Sequence, residues 1–328
     1  MNDKKNRVSL GHFPTPLHDL PRLSRALGGP RLLIKRDDLT GLAVGGNKVR
    51  KLEFLIADAL AQQADTVITA GAVQSNHARQ TAAAAARCGL RCILVLSPMA
   101  PAAVTGNLLL DRLFGAHVRW TGDRDSYELM QEVAAEERAA GRKPYLIPVG
   151  GSNAIGASGY YWAMDEAVRQ SLESGLRIDH MVVASGSGGT QAGLIVGAHA
   201  LHVQTRILGV SVSRTAADLY ESILALAQLT ASHLNLRLTI DPSSVLVEDR
   251  YLGKGYGVLG EAEREAIHLL ARYEGVLLDP VYTGRAMAGL IDLIRRGEFS
   301  REETILFWHT GGTPALYAYA HELLPASS

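Results

Sequence analysis

The stretch Met181-Val182-Val183-Ala184-Ser185-Gly186-Ser187-Gly188-Gly189-Thr190-Gln191-Ala192-Gly193 decides the fold class. An apolar, β-branched run enters a Gly/Ser/Thr loop and leaves into a helix of small residues, the strand–loop–helix unit of an α/β layer. Such a loop aligns backbone N–H donors at a helix start and makes a nest for one phosphate dianion. It is not a dinucleotide fingerprint: counted from Gly186 and Gly188, the third glycine of G-x-G-x-x-G would stand where Gln191 is. The next apolar run ends in Val212-Ser213-Arg214, with no acid to hold a ribose, and the G-K-[ST] ending of a P-loop is missing. The loop therefore suits a phosphate monoester.

The same alternation extends along the chain in both directions. Short apolar runs predict strands at Leu32–Lys35, Thr66–Ala70, Cys92–Leu96, His117–Trp120, Tyr145–Pro148, His180–Ala184, Ile207–Val212 and Thr304–Trp308. Between them lie helix-period segments; Leu52, Leu55, Ile56, Ala59 and Leu60 share one helical face. The expected class is α/β, with open, mostly parallel twisted sheets flanked by helices. The 328 residues leave room for about two domains, and no Pro/Ser linker marks a boundary.

Composition narrows the function. Lys plus Arg number 33 and Asp plus Glu number 33, so the electrostatic case for a nucleic-acid or anionic-membrane partner disappears. No apolar run approaches the ~20 residues of a membrane span, and MNDKKNRVSLGHF lacks an apolar core for a secretory signal, so the cytoplasm is the expected compartment. Cys88 and Cys92 lie in CGLRC, neither a CxxC redox pair nor half of a zinc site; they read as reduced structural thiols, and no metal is expected. Glycine is in excess: 33 residues, about 10% against a usual level near 7%, which asks where the backbone turns tightly or lets something approach.

Three further segments carry more polar chemistry than structure requires. In Gly45-Gly46-Asn47-Lys48-Val49-Arg50-Lys51, two glycines and an Asn form a turn and N-cap before a lysine that opens a helix. Lys48 reads either as a surface lysine or as a carbonyl-reactive amine whose pKa is depressed by the helix dipole and by Arg50 and Lys51. In Gln74-Ser75-Asn76-His77-Ala78-Arg79-Gln80, Ser75 or Asn76 is either a plain N-cap or part of a carboxylate site at a strand's carboxyl end. The third group is C-terminal: Gly255-Tyr256-Gly257, Asp279-Pro280-Val281-Tyr282-Thr283-Gly284-Arg285 and Trp308-His309-Thr310-Gly311-Gly312, each a turn with an aromatic beside it.

A reactive lysine, a single-phosphate loop, a carboxylate-binding helix start and strand-tip hydroxyls together fit pyridoxal 5'-phosphate. The segments Phe13-Pro14-Thr15-Pro16-Leu17, Lys35-Arg36-Asp37-Asp38, GGNKVRKLEF, QSNHARQ, IPVGGSN, SGSGGTQAG, DPVYTGRAM and HTGGTPALYAY span nearly the whole chain. On them the sequence closely resembles the fold-type II, tryptophan synthase β-like pyridoxal-phosphate enzymes, and within these the D-cysteine desulfhydrase/1-aminocyclopropane-1-carboxylate deaminase family. The resemblance implies two sheets, a small α/β domain at 52–163 inserted into a large cofactor domain of 1–51 and 164–328, and a homodimer. It implies Lys48 as Schiff-base lysine and proton-transfer base, and Asn76 against the cofactor's phenolic oxygen. Ser75, with the N–H groups of Asn76 and His77, would face the substrate carboxylate, and Ser75 would assist protonation. Gly186, Ser187, Gly188, Gly189 and Thr190 would wrap the phosphate. Tyr256 and Tyr282 match the two active-site tyrosines, Tyr282 lying over cofactor and substrate.

One departure separates the family's activities. The deaminases carry Glu where this chain has Thr283 and Leu where it has Thr310; desulfhydrase-like members carry Thr or Ser at the first and Thr at the second. Opening an unactivated cyclopropane needs a strong electron sink, which a carboxylate beside the ring nitrogen supplies. Expelling a thiol of pKa about 8.5 demands less, and a threonine hydroxyl on that nitrogen suffices. The implied reaction is β-elimination of D-cysteine, a small amino acid, to hydrogen sulfide, pyruvate and ammonia, with weak or absent deaminase activity. Neighbouring alternatives are β-elimination from β-chloro-D-alanine or D-serine and L-cysteate sulfo-lyase, whose sulfonate would want an extra cation. From other classes, a nicotinamide-dependent oxidoreductase is opposed by Gln191 and the missing ribose acid, and an inactive binding protein by intact Lys48, Ser75, Tyr256 and Tyr282.

Overall fold

The computed structural model describes residues 7–324. Each of the eight runs expected as strands contains one, although the run expected at Tyr145–Pro148 is extended only to Leu146, and two more strands appear. In chain order they are β1 (Leu17–Asp19), β2 (Arg31–Arg36), β3 (Thr66–Ala72), β4 (Arg91–Ser97), β5 (His117–Trp120), β6 (Pro144–Leu146), β7 (His180–Ser185), β8 (Arg206–Ser211), β9 (Leu246–Glu248) and β10 (Thr304–His309). The helices are α1 (Pro21–Leu27), α2 (Lys48–Ala61), α3 (Asn76–Arg87), α4 (Gly106–Leu113), α5 (Ser126–Ala139), α6 (Ala154–Glu173), α7 (Gly189–Ala200), α8 (Ala216–His233), α9 (Glu261–Glu274), α10 (Thr283–Arg295), α11 (Pro314–Ala318) and α12 (Ala320–Leu323). No described helix is long and apolar enough to cross a membrane.

The class is α/β with two sheets, ordered β1-β2-β10-β7-β8-β9 and β5-β4-β3-β6. All pairings are parallel except β1 with β2. Central parallel strands are covered on both faces, which is why β7 and β10 read as continuous apolar runs. Alternation then divides them: Met181, Val183, Leu306 and Trp308 pack toward α6, α7 and α8, whereas Val182, Ile305 and Phe307 pack toward α9 and α10. In the second sheet Val67, Leu94 and Leu96 meet α2 and α3, while Ile68, Ala70, Ile93 and Val95 meet α5.

The four strands of the smaller sheet fall within 66–146, and those of the larger come from 17–36 and 180–309. The boundaries drawn at 51/52 and 163/164 lie inside α2 and α6, continuous helices that pack on each other across the two layers. Cys88 and Cys92 are free, Cys92 buried. The carboxyl ends of β3, β7 and β10 open on one cavity of about 470 Å³, where open α/β sheets place ligands.

Candidate active site

The lysine is delivered by a turn that needs glycine. Gly45 has φ +72°, and a Cβ there would lie 2.0 Å from the Asp38 carbonyl oxygen. Asn47 then occupies the N-cap position of α2, but its side chain does not cap, correcting the sequence expectation. Its Nδ2 donates to Thr190 Oγ1 (3.0 Å) and its Oδ1 accepts from Lys48 Nζ (3.1 Å), so it links the lysine to the loop after β7. Burial pulls the Lys48 amine down to about 8, with Arg79 pushing the same way and Asp279 opposing. The expected role of Arg50 in this shift is corrected: Arg50 points away, into Asp37 and Glu166, because residues two apart lie on different helix faces.

Lys51 stands at the phosphate loop. Its Nζ donates to Gly150 O (3.0 Å) and Ser152 Oγ (3.2 Å), and a Cβ on Gly189 would lie 2.8 Å from it. Ser152 Oγ also meets Ser187 Oγ (2.7 Å) and accepts from Gly189 N (3.3 Å). Burial and the charge of Lys48 push Lys51 well below the ordinary lysine value, and no carboxylate pairs with it among the described residues. Without a counter-ion a buried lysine is driven toward its neutral form, and an anion placed beside it restores the charge. Lys51→Met is therefore expected to leave the apoprotein as stable or more so in urea, while weakening cofactor binding about 10-fold or more; equal affinity would remove Lys51 from the cradle.

The loop itself supplies the rest. Gly188, at φ +82°, turns the chain so that α7 starts at Gly189, leaving the first helical amides without intrahelical acceptors. Gly186, Ser187, Gly188 and Thr190 line the cavity, and so does Ser185, whose buried Oγ has no partner among the described residues. Ser185, Asn47 and Lys51 were missed as site residues; only their neighbourhood to Gly186 and Lys48 hinted at them.

At the start of α3, Ser75 is the N-cap and also reaches the cavity. Its Oγ accepts from Ala78 N (3.1 Å). Asn76 Oδ1 accepts from Arg79 Nη1 and Asn107 Nδ2, both at 3.0 Å. His77 Nε2 meets Thr69 Oγ1 (2.9 Å), whose hydroxyl donates to Ile147 O (2.8 Å). Burial, with Lys48 and Lys51 nearby, pushes the His77 ring well below its ordinary value and keeps it neutral.

Across the cavity, Tyr256 and Tyr282 hydroxyls lie 2.6 Å apart. Arg285 fixes the loop bearing Tyr256, donating to Gly255 O (3.1 Å), Val258 O (3.0 Å) and Val212 O (2.9 Å) while paired with Glu263 (2.7 Å). Thr310 lines the cavity; Thr283 does not. The Thr283 hydroxyl donates to Asp279 Oδ1 (2.7 Å) and accepts from Asp279 N (2.7 Å), behind the wall. Of the expected site residues, Lys48, Ser75, Asn76, His77, Gly186, Ser187, Gly188, Thr190, Tyr256, Tyr282 and Thr310 converge on the cavity, whereas Gly189 and Thr283 stand behind its surface.

No Asp or Glu lines this cavity among the described residues, while Lys48 and Arg214 do. An unpaired amine, a helix start, a buried uncompensated Lys51 and the orphaned Ser185 hydroxyl fit a phosphorylated aldehyde. Consistent with that fit, the family of pyridoxal-phosphate dependent enzymes matches residues 8–311, and the chain belongs to it. It is 50% identical over 319 residues to a D-cysteine desulfhydrase of Klebsiella pneumoniae (strain 342), covering 95% of this chain and 96% of that one. A crystal structure of an ACC deaminase homologue superposes with TM-score 0.89 at 43% identity, over 97% of this chain and 95% of the other. O-ureido-L-serine synthase, a K43A mutant with O-ureido-L-serine bound, shares the fold at TM-score 0.67 and 16% identity, over 98% and 94%. The chain is thus a fold-type II enzyme whose cofactor is pyridoxal phosphate.

Proposed function

We propose that the chain eliminates hydrogen sulfide from D-cysteine, leaving pyruvate and ammonia. The likeness to a D-cysteine desulfhydrase over nearly the full length of both chains carries this reading, and Thr310 on the cavity wall supports it. Lys48 Nζ would hold the cofactor through its aldehyde carbon. When bound, the cofactor supplies an electron sink conjugated with the substrate's α-carbon. Lys48 Nζ then removes the α-proton, a task suited to an amine whose pKa is pulled to about 8. Ser75 Oγ and the amides of Asn76 and His77 hold the carboxylate at the start of α3. The Tyr256–Tyr282 hydroxyl pair, at 2.6 Å, holds a proton on the opposite wall for the departing sulfur. Water completes the balance by hydrolysing the released enamine to pyruvate and ammonia. Gly186, Ser187, Gly188, Gly189 and Thr190 would hold the phosphate, with Lys51 behind them.

The experiment is a substrate panel of D-cysteine, L-cysteine, β-chloro-D-alanine, D-serine, L-cysteate and aminocyclopropane carboxylate, with Lys48→Ala as control. Hydrogen sulfide and pyruvate in equal amounts from D-cysteine, with little product from the cyclopropane, are expected. D-Cysteine turnover no higher than the control overturns the assignment. A second reading rests on Arg214, a cation on the cavity wall beside the one on Lys48. It suits a sulfonate at the β-carbon, and sulfite release from L-cysteate would select it. A cytoplasmic homodimer completes the proposal. The free thiols suit a reducing compartment, and exposed Leu109, Leu113 and Tyr317 on packed α4 and α11 suit a partner surface.

A further inference from the structure

Behind the start of α3 lies a buried polar network that the proposed mechanism does not use. Arg79, on α3, is fully buried; its Nη1 donates to Asn76 Oδ1 (3.0 Å) and Asn107 Oδ1 (2.6 Å), and its Nη2 to Gly45 O (2.7 Å). Asn107, near the start of α4, donates from Nδ2 to Asn76 Oδ1 (3.0 Å) and to Gln74 O (2.8 Å), and its backbone N–H donates to Gln74 Oε1 (2.8 Å). One turn further along α4, Asp111 is buried with neither oxygen hydrogen-bonded among the described residues. Burial raises its carboxyl to about 8 against the pull of Arg79. A buried guanidinium carries a heavy desolvation cost, which packing alone does not call for.

The geometry shows what that cation does. An amide oxygen that already accepts from two fixed donors cannot exchange places with its nitrogen. Asn76 Nδ2 is thereby turned toward Gly312, where a Cβ would lie 2.7 Å from it, two residues beyond Thr310, which with Asn76 lines the cavity. We propose that Arg79, together with Asn107, is a positioning residue that locks the Asn76 amide with its N–H groups toward the cavity, making Asn76 a donor to an anionic oxygen. The same guanidinium grips the carbonyl of Gly45, so one side chain registers both Asn76 and the turn that delivers Lys48. The inference rests on the reading of Asn76 as the partner of the cofactor's phenolic oxygen.

The test uses the holoenzyme and the absorbance of cofactor bound at Lys48. A donor on the phenolic oxygen keeps that oxygen anionic and the band in the visible; without it the proton settles on oxygen and the band moves to the near ultraviolet. Asn76→Ala, Arg79→Gln and Asn107→Ala are each expected to lower the visible-to-ultraviolet ratio several-fold, and Arg79→Gln to lower kcat/KM about 100-fold. Arg79→Lys, which keeps a cationic donor, restores most of the ratio. If Asn76→Ala moves the spectrum while Arg79→Gln and Asn107→Ala leave it unchanged, the positioning role is overturned and the Asn76 reading survives. If Asn76→Ala itself leaves the spectrum unchanged, the Asn76 reading falls and takes the inference with it. Arg79→Gln is read only if it folds; Asn107→Ala tests the same lock without touching the buried charge.

Discussion

Lys48→Ala is expected to lower kcat for hydrogen sulfide and pyruvate release by at least about 10⁴-fold, because one amine serves as covalent attachment point and as proton acceptor. The loss should appear twice: borohydride should no longer fix the cofactor to the protein, and turnover should not recover at saturating D-cysteine. Lys48→Arg should fail equally. A guanidinium keeps the positive charge but stays protonated and cannot attack a carbonyl, so this variant separates nucleophile from charge. The environment of Lys48 adds a pH signature. Its pKa is drawn from 10.5 to about 8, chiefly by burial, so the neutral, reactive fraction rises about tenfold per pH unit below 8 and levels off above it. The rate of cofactor attachment to apoenzyme should follow that curve. A rise continuing toward pH 10 would show an ordinary lysine, and turnover by Lys48→Ala would place the chemistry elsewhere.

What was legible in the sequence is what lies within one element or its two ends. The strands with long β-branched runs, the glycine turn before Lys48 and the loop after β7 announce themselves through local pattern. β1 and β9 do not: each has three residues at a sheet edge, too short for alternation to show. Contacts between distant elements leave no local trace. Asn47 reads as an N-cap from its position, yet its amide reaches Thr190, 143 residues away. Lys51 resembles a helix-surface lysine until Gly150, 99 residues on, closes over it. Gln191 reads only as a break in a dinucleotide fingerprint. In the fold its Nε2 donates to Leu246 O (2.7 Å), and a Cβ on Gly209 would lie 1.8 Å from its Oε1, so Gln191 and Gly209 form one packing device at the β8–β9 edge. Thr283 and Thr310 are assigned by family resemblance, and only topology shows that Thr310 faces the cavity while Thr283 answers Asp279.

Asp37→Ala is expected to cost about 3–5 kcal/mol of stability in urea unfolding, the scale for stripping the partner from a buried charge. Asp37 is fully buried and accepts from Arg50 Nη2 (2.8 Å) and Nε (2.9 Å), Thr15 Oγ1 (2.9 Å), Tyr160 OH (2.5 Å) and Trp308 Nε1 (2.8 Å). Its removal leaves the Tyr160 and Trp308 donors unpaired, and Thr15 and Arg50 with Glu166, itself shared with Lys35 (2.6 Å). These groups join β2, α2, α6 and β10, so the network fixes the α2 start that carries Lys48 against the strand end that carries Thr310. Burial by itself would raise the Asp37 carboxyl, but Arg50 outweighs it and holds it at about 2 against an ordinary 3.8. A depressed carboxylate contributes its full stability above the unfolded pKa and loses it as pH falls through the folded one. The gap between wild type and Asp37→Ala should therefore be constant above about pH 4 and narrow toward pH 2. By contrast, breaking the exposed Arg119–Glu136 pair with Glu136→Ala should leave stability almost unchanged. An Asp37→Ala loss as small as that, or a gap unchanged at low pH, would show that the network does not anchor the catalytic helix.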